Sequence, residues 1–146
     1  MRRAISGFVA GAVATLPMTG AFWVSRRRGF IDELPPHKAT SSVAPRVPEP
    51  RLSWISAVAH LIIGAGAGAT YGAAVPRRSW GPVTGAAFGL AVWVVGYEGV
   101  MPAVTDIRPA HRDDGPRALT IFVAHIIYGA ALGLLVSRSR DKQRNV

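Results

Sequence analysis

The sequence predicts an all-α, polytopic membrane protein, with four transmembrane helices arranged as two tandem helical hairpins in one membrane domain, residues 1–146. Three observations carry this expectation. Hydrophobic residues make up 49% of the chain against 17% charged, at a mean hydropathy of +0.25. The charges are gathered between four long blocks that are nearly free of them. A short pattern, Ala-His-Leu/Ile-Ile-x-Gly-Ala-x-x-Gly, occurs at residues 59–68 and again at 124–133.

A bilayer core about 30 Å thick asks for roughly 20 apolar residues per helix. The first block, residues 4–24, carries no charge. It is long and lacks a small-x-small cleavage site, so a retained helix is expected rather than a leader peptide. A loop over 25–53 follows, with Arg26, Arg27 and Arg28 at its start and Pro35, Pro36, Pro45, Pro48 and Pro50 within it. The prolines predict an extended, irregular segment. The second block, 54–75, holds His60 as its one ionisable group. A short connection with Arg77, Arg78 and Trp80 leads to the third, 83–104, which contains Glu98. The connection after it carries Asp106, Asp113 and Asp114, and the fourth block, 119–136, holds only His125. Each block is expected to be helical, because an open strand leaves its backbone unsatisfied in lipid. Trp23, Trp54 and Trp80 fall at block ends, where indoles sit at headgroup level.

The net charge of +9 does not point to nucleic acid, because the basic residues flank apolar blocks. Anionic lipid is the expected partner, together with a larger membrane complex or a second copy. With no Cys, the chain has no disulfide, thiolate metal site or Cys nucleophile. No phosphate-cradling loop, nucleophile elbow or His-Glu-x-x-His motif occurs, so neither an enzyme nor a metal site is expected. Four spans put both termini on one side. The basic tail and the short middle connection favour the cytoplasm for that side.

The repeated pattern makes residues 4–75 and 83–136 two copies of one hairpin. Gly7 and Gly11 align with Gly85 and Gly89 in this reading, and His60, Gly64 and Gly68 with His125, Gly129 and Gly133. Spacing by four puts each set on one helix face, where the missing side chains allow close helix packing.

His60 and His125 each lie six residues into their spans, and Glu98 about six residues before the end of its own. At 1.5 Å per residue all three are expected about 9 Å below one surface. Thr19 reaches a similar level. Ionisable groups at such depth face the bundle interior. Three readings compete for this layer. It can be structural, fixing helix register by hydrogen bonds. It can be a proton or ion conduit centred on Glu98. It can be a b-type haem site with His60 and His125 as axial ligands and the glycine faces making room for the macrocycle. The structural reading carries no cofactor. The loop histidines, His37 and His111, are expected to be solvated, and His111 with Asp113 and Asp114 offers at most a weak cation site.

Gly7, Gly11, His60, Gly64, Gly68, His125, Gly129 and Gly133 together resemble the pattern of small bacterial inner-membrane proteins of the YagU-like kind and related uncharacterised actinobacterial families. The resemblance covers about half the chain. It implies a small polytopic protein of the bacterial cytoplasmic membrane with a link to acid tolerance. The functional expectation is a non-enzymatic membrane protein, acting as an accessory subunit of a membrane complex or as a membrane stress factor.

Overall fold

The computed structural model describes residues 1–75 and 81–144, the last five by their backbone alone. Arg77, Arg78 and Trp80, expected at the second connection, lie outside the described residues. The fold is all-α. No strand occurs among the described residues, and four helices are long and apolar enough to cross a membrane.

Helix α1 spans Arg2–Arg27 and runs unbroken through Pro17. Proline leaves a carbonyl of the preceding turn without its N–H partner. The helix nonetheless continues, and the hydroxyls on either side of Pro17 bond back into it, Thr15 Oγ1 to Gly11 O at 2.8 Å and Thr19 Oγ1 to Thr15 O at 2.9 Å. Gly29, at φ +75°, terminates it. The Gly29 N–H bonds Arg26 O and the Phe30 N–H bonds Ser25 O, the paired closure that a left-handed residue after a helix permits.

The loop expected to be extended contains a helix instead, α2, Pro35–Val43. The two prolines that argued against regular structure occupy its first two positions. There the missing N–H costs nothing and the fixed φ is already helical. Helix α2 packs on α3, Arg51–Ala74.

Helix α4 spans Gly81–Val104, and residues Val94–Val100 within it form a π-helix. The Met101 N–H reaches back five residues to Gly96 O. Pro102 supplies the physical reason. It has no N–H for the Glu98 carbonyl, and the ladder widens just before it. A single 3-10 turn, Ala110–Arg112, precedes α5, Gly115–Arg144. Helices α3 and α5 thus begin three and four residues before the blocks at 54 and 119.

Packing follows three seams: α1 on α3, α4 on α5, and α1 on α5. The first two are glycine seams. A Cβ built on Gly11 would lie 2.8 Å from the Gly68 Cα, and one on Gly85 would lie 2.8 Å from the Gly133 Cα. Backbone meets backbone, as small-x-x-x-small faces allow. The register of these contacts corrects the sequence alignment by one turn. Gly11 meets Gly64 and Gly68 as Gly85 meets Gly129 and Gly133, so Gly11 corresponds to Gly85 and Gly7 to Gly81.

The third seam uses a neighbouring row on each helix. Ala10, Ala14, Met18 and Phe22 of α1 and Ala124, Tyr128, Leu132 and Val136 of α5 are buried in one cluster, each spaced by four. Outward faces carry the bulky residues, among them Phe8, Leu16, Trp54, Ile62, Val95 and Leu119. Glycine at two seams and bulky residues on the outer faces is a distribution a lipid solvent permits. The Asp106 N–H bonds Ser42 Oγ at 3.2 Å, so α2 and the 105–114 connection share one end of the bundle.

Candidate functional site

No such seam joins α3 to α4. They meet near one end, where the Tyr71 hydroxyl lies 2.9 Å from Thr84 Oγ1 and the Tyr71 and Phe88 rings are 5.1 Å apart. Toward the other end they diverge, and α2 lies across the gap. The result is a cavity of about 210 Å³ with walls from α1, α3, α4 and α5 and a roof from Pro35, Pro36 and Ala39. A buried apolar cavity of about 150 Å³ is already enough to bind benzene.

His60 and His125 both line this cavity. His125 Nδ1 bonds Ile121 O, one turn back, at 2.8 Å. That bond fixes the tautomer and leaves Nε2 as a bare acceptor. His60 Nε2 is buried and has no hydrogen-bond partner, and its ring stands edge-on to Phe22 with centroids 6.2 Å apart. The glycine faces meant to admit a macrocycle are filled. Gly64, Gly68, Gly129 and Gly133 lie against atoms of the adjoining helix.

The rest of the expected polar layer is elsewhere. Glu98 lies on the π-helical turn, and its carboxylate turns to the connection beyond α4. Oε2 sits 2.7 Å from His111 Nδ1, and Oε1 accepts from the His111 N–H at 3.2 Å. The widened turn buries Tyr97 against the cavity in its place. Thr19 is exposed and bonds only its own helix. His111 is exposed, as expected, but paired. Asp113 faces the Tyr97 hydroxyl and the Arg117 guanidinium, and no group of three or more metal-ligating residues occurs among the described residues.

Two features went unread in the sequence. The Tyr128 hydroxyl donates to Gly64 O at 2.6 Å, tying α5 to α3 across the cavity floor. Its place one turn after His125 was a legible signal. Replacing Tyr128 by Phe is expected to cost about 1 kcal/mol, the net worth of one hydrogen bond, in a thermal melt. The second is a charged corner. The Tyr97 hydroxyl donates to Asp113, and Arg117 Nε lies 3.1 Å from Asp113 Oδ2, though not aligned for a hydrogen bond.

A model of a family of unknown function, DUF6789, matches residues 1–146. The chain belongs to that family. No curated protein and no solved structure matches it.

The roof over the cavity has its own tether. His37, on α2, bonds Glu33 through Nδ1 and Glu49 through Nε2, the latter at 2.5 Å, and Glu49 also accepts from Ser53 Oγ at 2.8 Å. Contrary to the expectation of a solvated loop residue, His37 is partly buried between two carboxylates. Glu33, then Glu49, raise its pKa above the usual 6.5. Ser53, then His37, hold Glu49 below its usual 4.5. The histidine's contribution is complete below pH 6.5 and is lost as pH rises through its raised value. The glutamate's is complete above pH 4.5 and is lost as pH falls through its lowered value. The tether is therefore firmest between pH 4.5 and 6.5. Amide exchange in α2, corrected for intrinsic rate, is expected to accelerate above His37's raised pKa in the wild type. A flat profile from pH 5 to 8, or one unchanged in His37→Gln, would show that the tether does not hold α2.

Proposed function

We propose that this chain is a small, non-enzymatic integral protein of the bacterial cytoplasmic membrane that holds one small lipophilic molecule between its two helix pairs. The observation that carries the reading is the cavity, which is apolar over most of its wall and holds two imidazoles that the repeated motif supplies. Concave, mostly apolar sites with a few convergent polar groups are the usual form of small-molecule sites. In this reading the chain serves a larger membrane assembly or a stress response as its ligand-binding component. Kinship with YagU-like proteins would tie that role to acid tolerance. The two pairs are copies of one duplicated hairpin, a reading supported by the recurrent motif and by matching glycine contacts. Both termini are cytoplasmic, with Arg2 and Arg3 near anionic headgroups. Since the chain has no Cys, single Cys substitutions at either end can be labelled to test that sidedness.

The test is saturable binding of naphthalene to the protein in lipid nanodiscs. One site is expected in the wild type and none in Ala59→Phe, which fills the cavity from α3. A wild type without saturable binding overturns the reading. A Soret band, with sharp bands after dithionite reduction, lost in His60→Ala and His125→Ala, would replace it by the haem reading. Proton flux in liposomes abolished by Glu98→Gln would replace it by the conduit.

A further inference from the structure

We infer that the molecule held here is a neutral, hydroxyl-bearing ring compound, a phenol-type lipophile, which reaches the cavity from the bilayer between α3 and α4. The inference rests on the ligand-binding reading and adds the chemistry and the route.

The chemistry follows from what the cavity leaves unmet. Its hydroxyls are largely committed: Thr15 to Gly11 O, Thr40 to Pro36 O, Tyr128 to Gly64 O and Tyr97 to Asp113. Its one cation, Arg117, is matched by Asp113, so the wall offers no net charge to an ionic ligand. What remains is the Ser56 hydroxyl, the Arg117 Nε–H and the imidazole pair. His125 Nε2 can only accept, because its other nitrogen donates to Ile121 O. His60 Nε2 is buried and unmet, a cost that a partner would remove. A ligand carbonyl accepts only and leaves His125 unmet. An ammonium would bring an unmatched charge into the membrane, where it is costly. A hydroxyl donates its one hydrogen to His125 and accepts from His60 in the tautomer that carries the hydrogen on Nε2. The apolar walls, from Met18 and Phe22 to Ile121, suit a ring or chain attached to that hydroxyl.

The route follows from the open seam. Ile63 of α3 lines the cavity and is also 62% exposed, so the cavity wall continues into the outer face at bilayer depth. Val92 and Gly96 of α4 line the cavity as well and are partly exposed. The mouth therefore opens to lipid tails, where an uncharged lipophile is concentrated.

Three probes separate the claims in nanodiscs: 2-naphthol, 2-methoxynaphthalene, which lacks the donor hydrogen, and naphthalene. The wild type is expected to bind 2-naphthol about tenfold tighter than 2-methoxynaphthalene, the upper range for one hydrogen bond. In His125→Phe, or in His125→Leu should the Phe variant fail to fold, that ratio falls to about one while naphthalene still binds. Equal affinities in the wild type, or a ratio that survives loss of the imidazole, overturn the hydroxyl assignment and leave the cavity reading standing. Absence of saturable binding by all three overturns both. Ile63→Trp, at the mouth, is expected to slow 2-naphthol association several-fold with the ratio intact; an unchanged association rate overturns the lateral route.

Discussion

Gly68→Ala and Gly129→Ala are each expected to destabilise the protein by about 3 kcal/mol or more, a large share of the roughly 5–15 kcal/mol that holds an ordinary domain folded. A Cβ on Gly68 would lie 2.6 Å from the Gly11 Cα, and one on Gly129 would lie 2.8 Å from the Gly85 carbonyl carbon. In each case the obstacle is backbone and cannot rotate aside. The helices must part along the whole seam, and every van der Waals contact there weakens with them. Gly66→Ala gives the opposite sign. It has open space around its missing Cβ and gains the helix propensity of Ala, about 1 kcal/mol. Thermal melting in detergent, followed by loss of the monodisperse peak, measures all three. Melting of Gly68→Ala and Gly129→Ala at the wild-type temperature would mean that the seams are not closed as described.

Asp113→Ala should cost about 3 kcal/mol, and Asp113→Ala with Arg117→Leu should recover most of it. Only 14% of the Asp113 side chain and 12% of the Arg117 side chain are exposed, so removing the carboxylate leaves a guanidinium with neither water nor partner. Removing both leaves an apolar corner, and only the Tyr97 hydroxyl has lost its acceptor. The double-mutant cycle isolates the coupling. A double variant as unstable as the single would show that the pair is not what holds this corner.

The four spans were legible because lipid leaves the sequence few options. A block of about 20 apolar residues must close its own hydrogen bonds, and only a helix does that within one segment. His60 and His125 stand in the same short motif of the sequence, and both line the cavity. Glu98 was misplaced because depth fixes height and not azimuth. A π-helical turn changes the angle at which each residue leaves the axis, and its cause, Pro102, lies four residues beyond the carboxylate. The roof helix was missed because Pro35 and Pro36 read as breakers. Their effect depends on whether they fall inside a helix or at its first positions. The one-turn error in the glycine register arose because a Gly-x-x-x-Gly face fits a partner equally well at each turn, and only contacts to the opposing backbone choose among them.

The missing seam has a mechanical consequence. Three seams close a ring of four helices that is cut at one place, and the two glycine-zipped pairs behave as stiff leaves sharing a spine, α1 against α5. Swinging the leaves apart breaks none of the glycine contacts. It strains the Tyr71 clasp at one end, the Tyr128 bond to Gly64 across the floor and the α2 strap at the other end. The lateral pressure of the acyl chains bears directly on that cut, so thickness and tension of the surrounding bilayer become inputs to how widely this molecule stands open.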